Sequence, residues 1–265
     1  MTLKQEIGDE MDDFERMLEG MQQFTREEIK KSNIQIDKDK LNSFKNIIAE
    51  LVSIRNENAD KMSQFQTSTE RDIVKVEYSK GGETIHRGYY CPSPVLDLIV
   101  GNLNRGKILK KKPDFLKYTY QYGFDNKNRL VKVKMVNKIT EFTPTVIRFD
   151  EEYLVYDKNI VYALEFDNMG EINVVSRCTY ENGNIVKYEH CSCGFEEYAN
   201  LYYEEYLYES GILSEINSFD VTPQIELYTE QRYKVEVDEV GKIRTLIGGF
   251  ITNGIWEQDA FNFKK

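Results

Sequence analysis

The chain has 265 residues, 40% of them hydrophobic, which is enough to fill a sizeable core as one large domain or two modest ones. It opens Met1-Thr-Leu-Lys-Gln-Glu-Ile-Gly-Asp-Glu without a basic region and apolar run, and no apolar stretch approaches the roughly 20 residues that span a bilayer, so a cytoplasmic protein is expected. Net charge is −10 but uneven: from residue 151 onward 22 acids face 9 bases, against 23 and 26 before it, which disfavours phosphate binding by the second part and suits a basic partner.

Residues 1–66 read as a helical hairpin. Ile7, Met11, Phe14, Leu18 and Met21 step by fours and threes, and Leu41, Phe44, Ile48 and Leu51 do the same in a second segment. Thr25-Arg-Glu-Glu28 resembles a capping box, and Ser32–Asp39 interrupts the pattern between the two segments. Gln64–Glu70 is polar and weakly patterned, as a linker would be.

Residues 67–117 join the two parts. Ile73–Tyr78 alternates, Ser79–Glu83 can turn and Thr84–Tyr90 returns, giving one hairpin; Ser93 starts a short helix over Val95–Val100 that closes near Gly101. A basic loop follows with Arg105, Lys107, Lys110, Lys111 and Lys112. It lacks the interleaved aromatics of a single-strand binding surface and reads as solvated.

Residues 118–265 carry about ten expected strands, with turn signals at 128, 170, 183, 211 and 241. One phrase recurs: apolar or aromatic residues two apart, an acidic turn with Gly or Asn, then Ile or Leu. It occurs at Tyr120–Leu130, Leu164–Ile172, Tyr180–Ile185, Tyr206–Leu213 and Val235–Ile243, and Asp157-Lys-Asn159 adds a further hairpin. The fold class expected is α+β, a helical hairpin followed by a largely antiparallel meander of repeated hairpins.

The segments Tyr206–Ile216 and Tyr180–Tyr188 resemble the variant MORN repeats of bacterial antitoxin-like proteins, and Phe124–Leu130 resembles the YD repeats of Rhs-type polymorphic toxins. The resemblance implies a bacterial β-sheet repeat protein near toxin systems. It transfers no catalytic residues.

Candidate chemistry is sparse. Cys91 with His86 could form a nucleophilic pair, but so short a separation also fits a surface histidine and a buried cysteine. His190-Cys-Ser-Cys193 with Cys178 is a cluster of soft ligands, yet a strand places Cys191 and Cys193 on one face and His190 on the other, so the thiols are expected in the core and reduced, and no metal or cofactor is assigned. Gly81-Gly82 and Gly248-Gly249 are isolated pairs suited to turns or bulges, not a phosphate loop. The paired acids at Glu151, Glu196 and Glu204 sit next to a second glutamate whose side chain points to the opposite sheet face, which does not build a hydrolase pair.

Twelve of the eighteen tyrosines fall between 153 and 233, and they suit either cross-strand pairs or a contact surface. Taken as a surface, Glu196, Glu197, Tyr198, Tyr202, Tyr203, Glu204, Glu205, Tyr206 and Tyr208 form the candidate partner-binding set. The functional expectation is a non-catalytic protein-binding protein of the immunity or antitoxin type that masks a basic toxin surface, with no nucleic-acid or membrane partner. The alternative is a scaffold of a secretion or cell-surface system, dimerising through its N-terminal helices.

Overall fold

The computed structural model describes residues 20–21, 23–27, 34–80, 89–91, 93–95, 106–114, 119–136, 149–193, 199–239 and 243–262. Residues 20, 21 and 23–27 are helical; the rest of the first expected helical arm lies outside the described residues.

Helix α1 (Lys38–Asn58) begins at Asp37, whose carboxylate accepts from the Asp39 and Lys40 amides at 2.9 and 3.1 Å and satisfies donors the first turn leaves open. Its buried residues are Leu41, Phe44, Ile48 and Leu51, the stripe expected from their spacing. Helix α2 (Met62–Asp72) takes in the whole of Gln64–Glu70, so the expected linker is a helix. Tertiary packing overrides its weak pattern: Phe65 stacks on Tyr153 and touches Phe166. Thr67 and Ser68 satisfy their hydroxyls on the Ser63 and Gln64 carbonyls at 2.9 Å.

Among the described residues, fourteen strands form one antiparallel sheet. They are β1 (Lys75–Lys80), β2 (Lys107–Leu109), β3 (Thr119–Phe124), β4 (Leu130–Val136), β5 (Phe149–Asp157), β6 (Ile160–Phe166), β7 (Ile172–Glu181), β8 (Asn184–Ser192), β9 (Asn200–Glu209), β10 (Ile212–Thr222), β11 (Leu227–Val237), β12 (Ile243–Thr252), β13 (Ile255–Trp256) and β14 (Asp259–Asn262). From β3 to β13 each strand pairs with the next, β14 folds back on β12, and β1 lies between β2 and β3. The meander is therefore the expected one, with twelve strands from β3 onward where about ten were expected.

Two expectations near β1 change. Its partners are β2 and β3, which occupy both its edges at Tyr78, Ser79 and Lys80; of the expected return strand, Tyr89 and Tyr90 lie in a bend and 84–88 lie outside the described residues. Within the expected basic loop, Lys107–Leu109 is a strand, because pairing with Tyr78–Lys80 supplies the backbone partners that local sequence does not advertise. Of the expected helix at Val95–Val100, residue 95 is helical, as is 94 before it, and the rest lie outside the described residues.

The hairpin turns explain the recurring phrase. Asn182–Gly183 and Ser210–Gly211 both have positive φ at their two central positions, as does Asn253–Gly254, so each closes a two-residue loop whose twist matches the sheet. Asp125 and Asp167 build a wider loop, each accepting the backbone N–H of the residues two and four positions on. Gly248 and Gly249 lie within β12 rather than in a turn.

Strand alternation then divides the core in two. On one face, α1 and α2 cover Tyr153, Leu164, Val175, Cys191, Leu201, Tyr203, Phe219 and Val221. On the other lie Tyr122, Leu154, Val161, Cys178, Tyr188, Tyr202, Tyr206, Ile216, Tyr233 and Leu246, together with Tyr90, Cys91 and Val95 from a segment that crosses the sheet. Among the described residues no helix is long and apolar enough to cross a membrane.

Candidate functional site

The expected partner-binding residues are split between the two faces. Register places Tyr202, Glu204, Tyr206 and Tyr208 on the face crossed by residues 89–91 and 93–95, and Tyr203 and Glu205 on the helical face. Tyr202, Tyr203, Glu204 and Tyr206 are all buried; Glu205 and Tyr208 are half-buried; Glu196, Glu197 and Tyr198 lie outside the described residues. The tyrosine run is thus largely interior. Its rings fill both cores, which is why the segment carries aromatics at both even and odd positions.

Glu204 is the centre of one interior network. Its Oε1 accepts from Ser93 Oγ at 2.8 Å and from the Tyr202 hydroxyl at 2.6 Å, while Oε2 accepts from the Tyr206 hydroxyl. Cys91 Sγ lies 3.6 Å from that same Tyr206 oxygen, and Tyr90 reaches the Val161 carbonyl at 3.2 Å and Ser176 at 3.3 Å. Burial pushes the Tyr202, Tyr206 and Tyr90 phenols and the Cys91 thiol well above their ordinary ranges. Such a thiol is held protonated, so the network pins the crossing segment to β6, β7 and β9 and does not activate a nucleophile.

On the helical face, Phe44 packs against Tyr203, Phe219 and Tyr228, and Lys40 lies over the Phe219 ring while pairing with Glu230 at 3.3 Å. Arg177 makes a two-pronged pair with Glu189 and bonds Glu50 of α1 at 3.0 Å, and Glu189 raises its basicity further. These contacts hold α1 over the strand row that includes Arg177, Glu189, Tyr203, Phe219 and Glu230.

Nearer the tight turns, the same face is less covered. Val155 is 39% exposed, Leu207 45% and Ile212 55%, and Lys187 and Lys234 are exposed beside them. The β3–β4, β5–β6, β7–β8, β9–β10 and β11–β12 connections all fall at this one end of the meander. Four of the five copies of the recurring phrase therefore deliver their acidic turns to one rim; only the Asp167 copy lies at the opposite end. Asp157, Glu181 and Glu209 end β5, β7 and β9, are exposed, and follow one another at intervals of roughly 10 Å, twice the strand spacing. Asp125 and Asp238 on the same rim are engaged by Arg129 and Arg244. The burial of the tyrosines and the gathering of the acids follow from strand alternation and topology, which a linear reading of Glu-Tyr runs does not resolve.

The soft-ligand letters diverge. Cys178 and His190 face the tyrosine side, where His190 Nδ1 lies 3.3 Å from the Tyr188 hydroxyl, whereas Cys191 and Cys193 face the helices, as alternation requires. All four cysteines are free and buried, and among the described residues no group of three His, Cys, Asp or Glu could hold a metal ion. His86 lies outside the described residues. Compared with known proteins, the chain matches no protein-family model and no curated protein.

Proposed function

We propose that this chain is a non-catalytic binding protein of the bacterial immunity or antitoxin type, which masks a basic surface of a protein toxin. The observation that carries the reading is the alignment of exposed Asp157, Glu181 and Glu209 along one rim, next to Val155, Leu207 and Ile212 on the adjoining face. Apolar side chains flanked by exposed carboxylates suit an interface in which charge speeds encounter and buried contacts slow release. The excess of 22 acids over 9 bases from residue 151 onward extends the same field. The interior tyrosines serve this function as scaffold, by fixing the strand ends that present the acids.

Co-expression with the product of the adjoining gene, in cells which that product poisons, tests the reading. Rescue of growth together with a complex on size-exclusion chromatography is expected. The triple variant Asp157→Lys, Glu181→Lys, Glu209→Lys should lose both while keeping the wild-type circular dichroism. Unaltered toxicity and no complex reject the proposal. A second reading, a scaffold that self-associates through its N-terminal helices, is favoured by exposed Met21 and Phe24 at 61% and 65%. It requires a concentration-dependent oligomer in light scattering, and a monomer at high concentration removes it.

A further inference from the structure

Cys191 and Cys193 are the chain's one Cys-Ser-Cys run, and their sulfurs lie 3.7 Å apart under the C-terminal part of α1. Two residues of a regular strand with one residue between them have Cα atoms roughly 6.7 Å apart, at the upper end of what a disulfide spans. Cys193 follows the last residue of β8, although its amide still bonds the Asn173 carbonyl at 2.7 Å, so a modest bend at the strand end brings the pair within bonding geometry. We propose that Cys191 and Cys193 are a site of two-electron thiol oxidation, closing to an intrachain disulfide when the protein meets a peroxide.

The surroundings divide the labour between the two sulfurs. In the neutral pair the Cys193 thiol bonds the Cys191 carbonyl at 3.5 Å. The two sulfurs also bond each other, Cys193 Sγ to Cys191 Sγ at 3.7 Å, so a thiolate at either position has the other thiol as its hydrogen-bond partner. That hydrogen bond, aided by the nearby Arg55 guanidinium, lowers the Cys193 thiol below its ordinary range, and the same bond raises Cys191. Arg55 is itself fixed by donating to the Ile172 carbonyl at 3.1 Å and is only partly buried, whereas Cys191 and Cys193 are both buried. Cys91 and Cys178, by contrast, lie on the opposite face among tyrosines, and burial raises the Cys91 thiol.

The chemistry balances with hydrogen peroxide as oxidant. The Cys193 thiolate attacks one peroxide oxygen, the O–O bond breaks, and hydroxide leaves, giving a sulfenic acid at Cys193. Cys191, losing its proton to that hydroxide, attacks the Cys193 sulfur; the S–O bond breaks, and the second oxygen leaves as water once protonated by solvent. Two thiols are oxidised by two electrons, and one peroxide is reduced to two waters.

Peroxide treatment of the folded full chain, followed by alkylation and peptide mass mapping, tests this. The peptide holding both residues should lose two hydrogen atoms, regain them with dithiothreitol, and react on the order of tenfold or more faster than Cys91 and Cys178. Cys191→Ser should stop at a sulfenic acid trapped by a dione reagent, and Cys193→Ser should react no faster than Cys91 and Cys178. Equal rates at all four thiols, or four thiols that stay reduced until the protein unfolds, overturn the proposal. If either variant does not fold, the wild-type map alone decides between these outcomes.

Discussion

Ser93 donates to the Glu204 carboxylate at 2.8 Å across a separation of 111 residues, tying the segment that crosses the sheet to its ninth strand. The same carboxylate accepts from Tyr202 and Tyr206, so its loss leaves several buried hydroxyls without their acceptor. Glu204→Ala is expected to cost about 2–4 kcal/mol in urea unfolding, combining unsatisfied hydroxyls with a cavity. Glu204→Gln keeps one carbonyl oxygen for Ser93 and Tyr202 and should cost less, about 1–2 kcal/mol. A Glu204→Ala protein as stable as wild type would show that the crossing segment is held by its apolar residues alone.

Gly248 sits where β12 meets Tyr233 of β11. A Cβ there would lie 1.9 Å from the Arg232 carbonyl oxygen and 2.9 Å from the Tyr233 Cα, and backbone cannot yield as a side chain can. The same carbonyl accepts from the Trp256 indole at 3.0 Å, so displacing it also disturbs β13. Gly248→Ala is expected to destabilise by about 3 kcal/mol or more, the scale of an overpacked core site. Gly183→Ala makes a useful contrast, since a Cβ there meets nothing within 4 Å and its cost comes from a φ of +84°. Thermal melts of the two variants should separate clash from conformational strain.

Ser210 holds a φ of 52° at the first central position of the β9–β10 turn, a region an L-residue other than Asn or Asp rarely favours. The neighbouring hairpin uses Asn182 at the equivalent place, with the same sign of φ. Ser210→Asn is therefore expected to raise stability by roughly 0.5–1 kcal/mol, through a better match of side chain to backbone. The substitution leaves Glu209 in place, so the acidic rim is unchanged. A lowered melting temperature would mean that Ser210 is fixed by something other than its turn.

Much of the fold is legible in the sequence because its determinants are local. The two-residue turns at Asn182–Gly183 and Ser210–Gly211 set hairpin register by backbone sign, and the Leu41, Phe44, Ile48 and Leu51 stripe marks α1 by period alone. Cys191 and Cys193 face the core because alternation leaves them no other side. What the letters do not carry is long-range. The pairing of β1 with β3 joins Lys75 to Phe124, and no local signal announces it. Likewise, Tyr202 and Tyr206 look like surface anchors among glutamates until the crossing segment covers them. The candidate rim is readable only in part: each acidic turn is visible, but that alternate turns share one end follows from the unbroken order of the meander.

The titratable groups give stability a window at both ends of the pH scale. Burial alone would raise the Asp125 and Glu151 carboxyls, but hydrogen bonds and charge outweigh it and hold both below their ordinary values: Arg129 and the Lys127 amide act on Asp125, and Tyr153, Lys132 and Lys134 on Glu151. A carboxyl depressed in the folded state stabilises above its unfolded value of about 4 and loses that contribution as pH falls through the folded value. The phenols run the other way. Burial raises Tyr156 to about 12 and also raises Tyr153, Tyr180, Tyr188, Tyr202, Tyr203 and Tyr206. A phenol raised in the folded state is neutral in both states below about pH 10, and folding loses stability as pH rises beyond it, because the unfolded chain ionises first. Urea midpoints are therefore expected to hold between these limits, to fall below about pH 4, and to fall again above about pH 10. Phenolate absorbance should rise in two stages, an early one from exposed tyrosines and a late one that coincides with loss of circular dichroism. Asp125→Asn should flatten the acid limb and leave the alkaline one unchanged. A single phenolate transition near the ordinary value, with the sheet still intact, would contradict the interior placement of these rings.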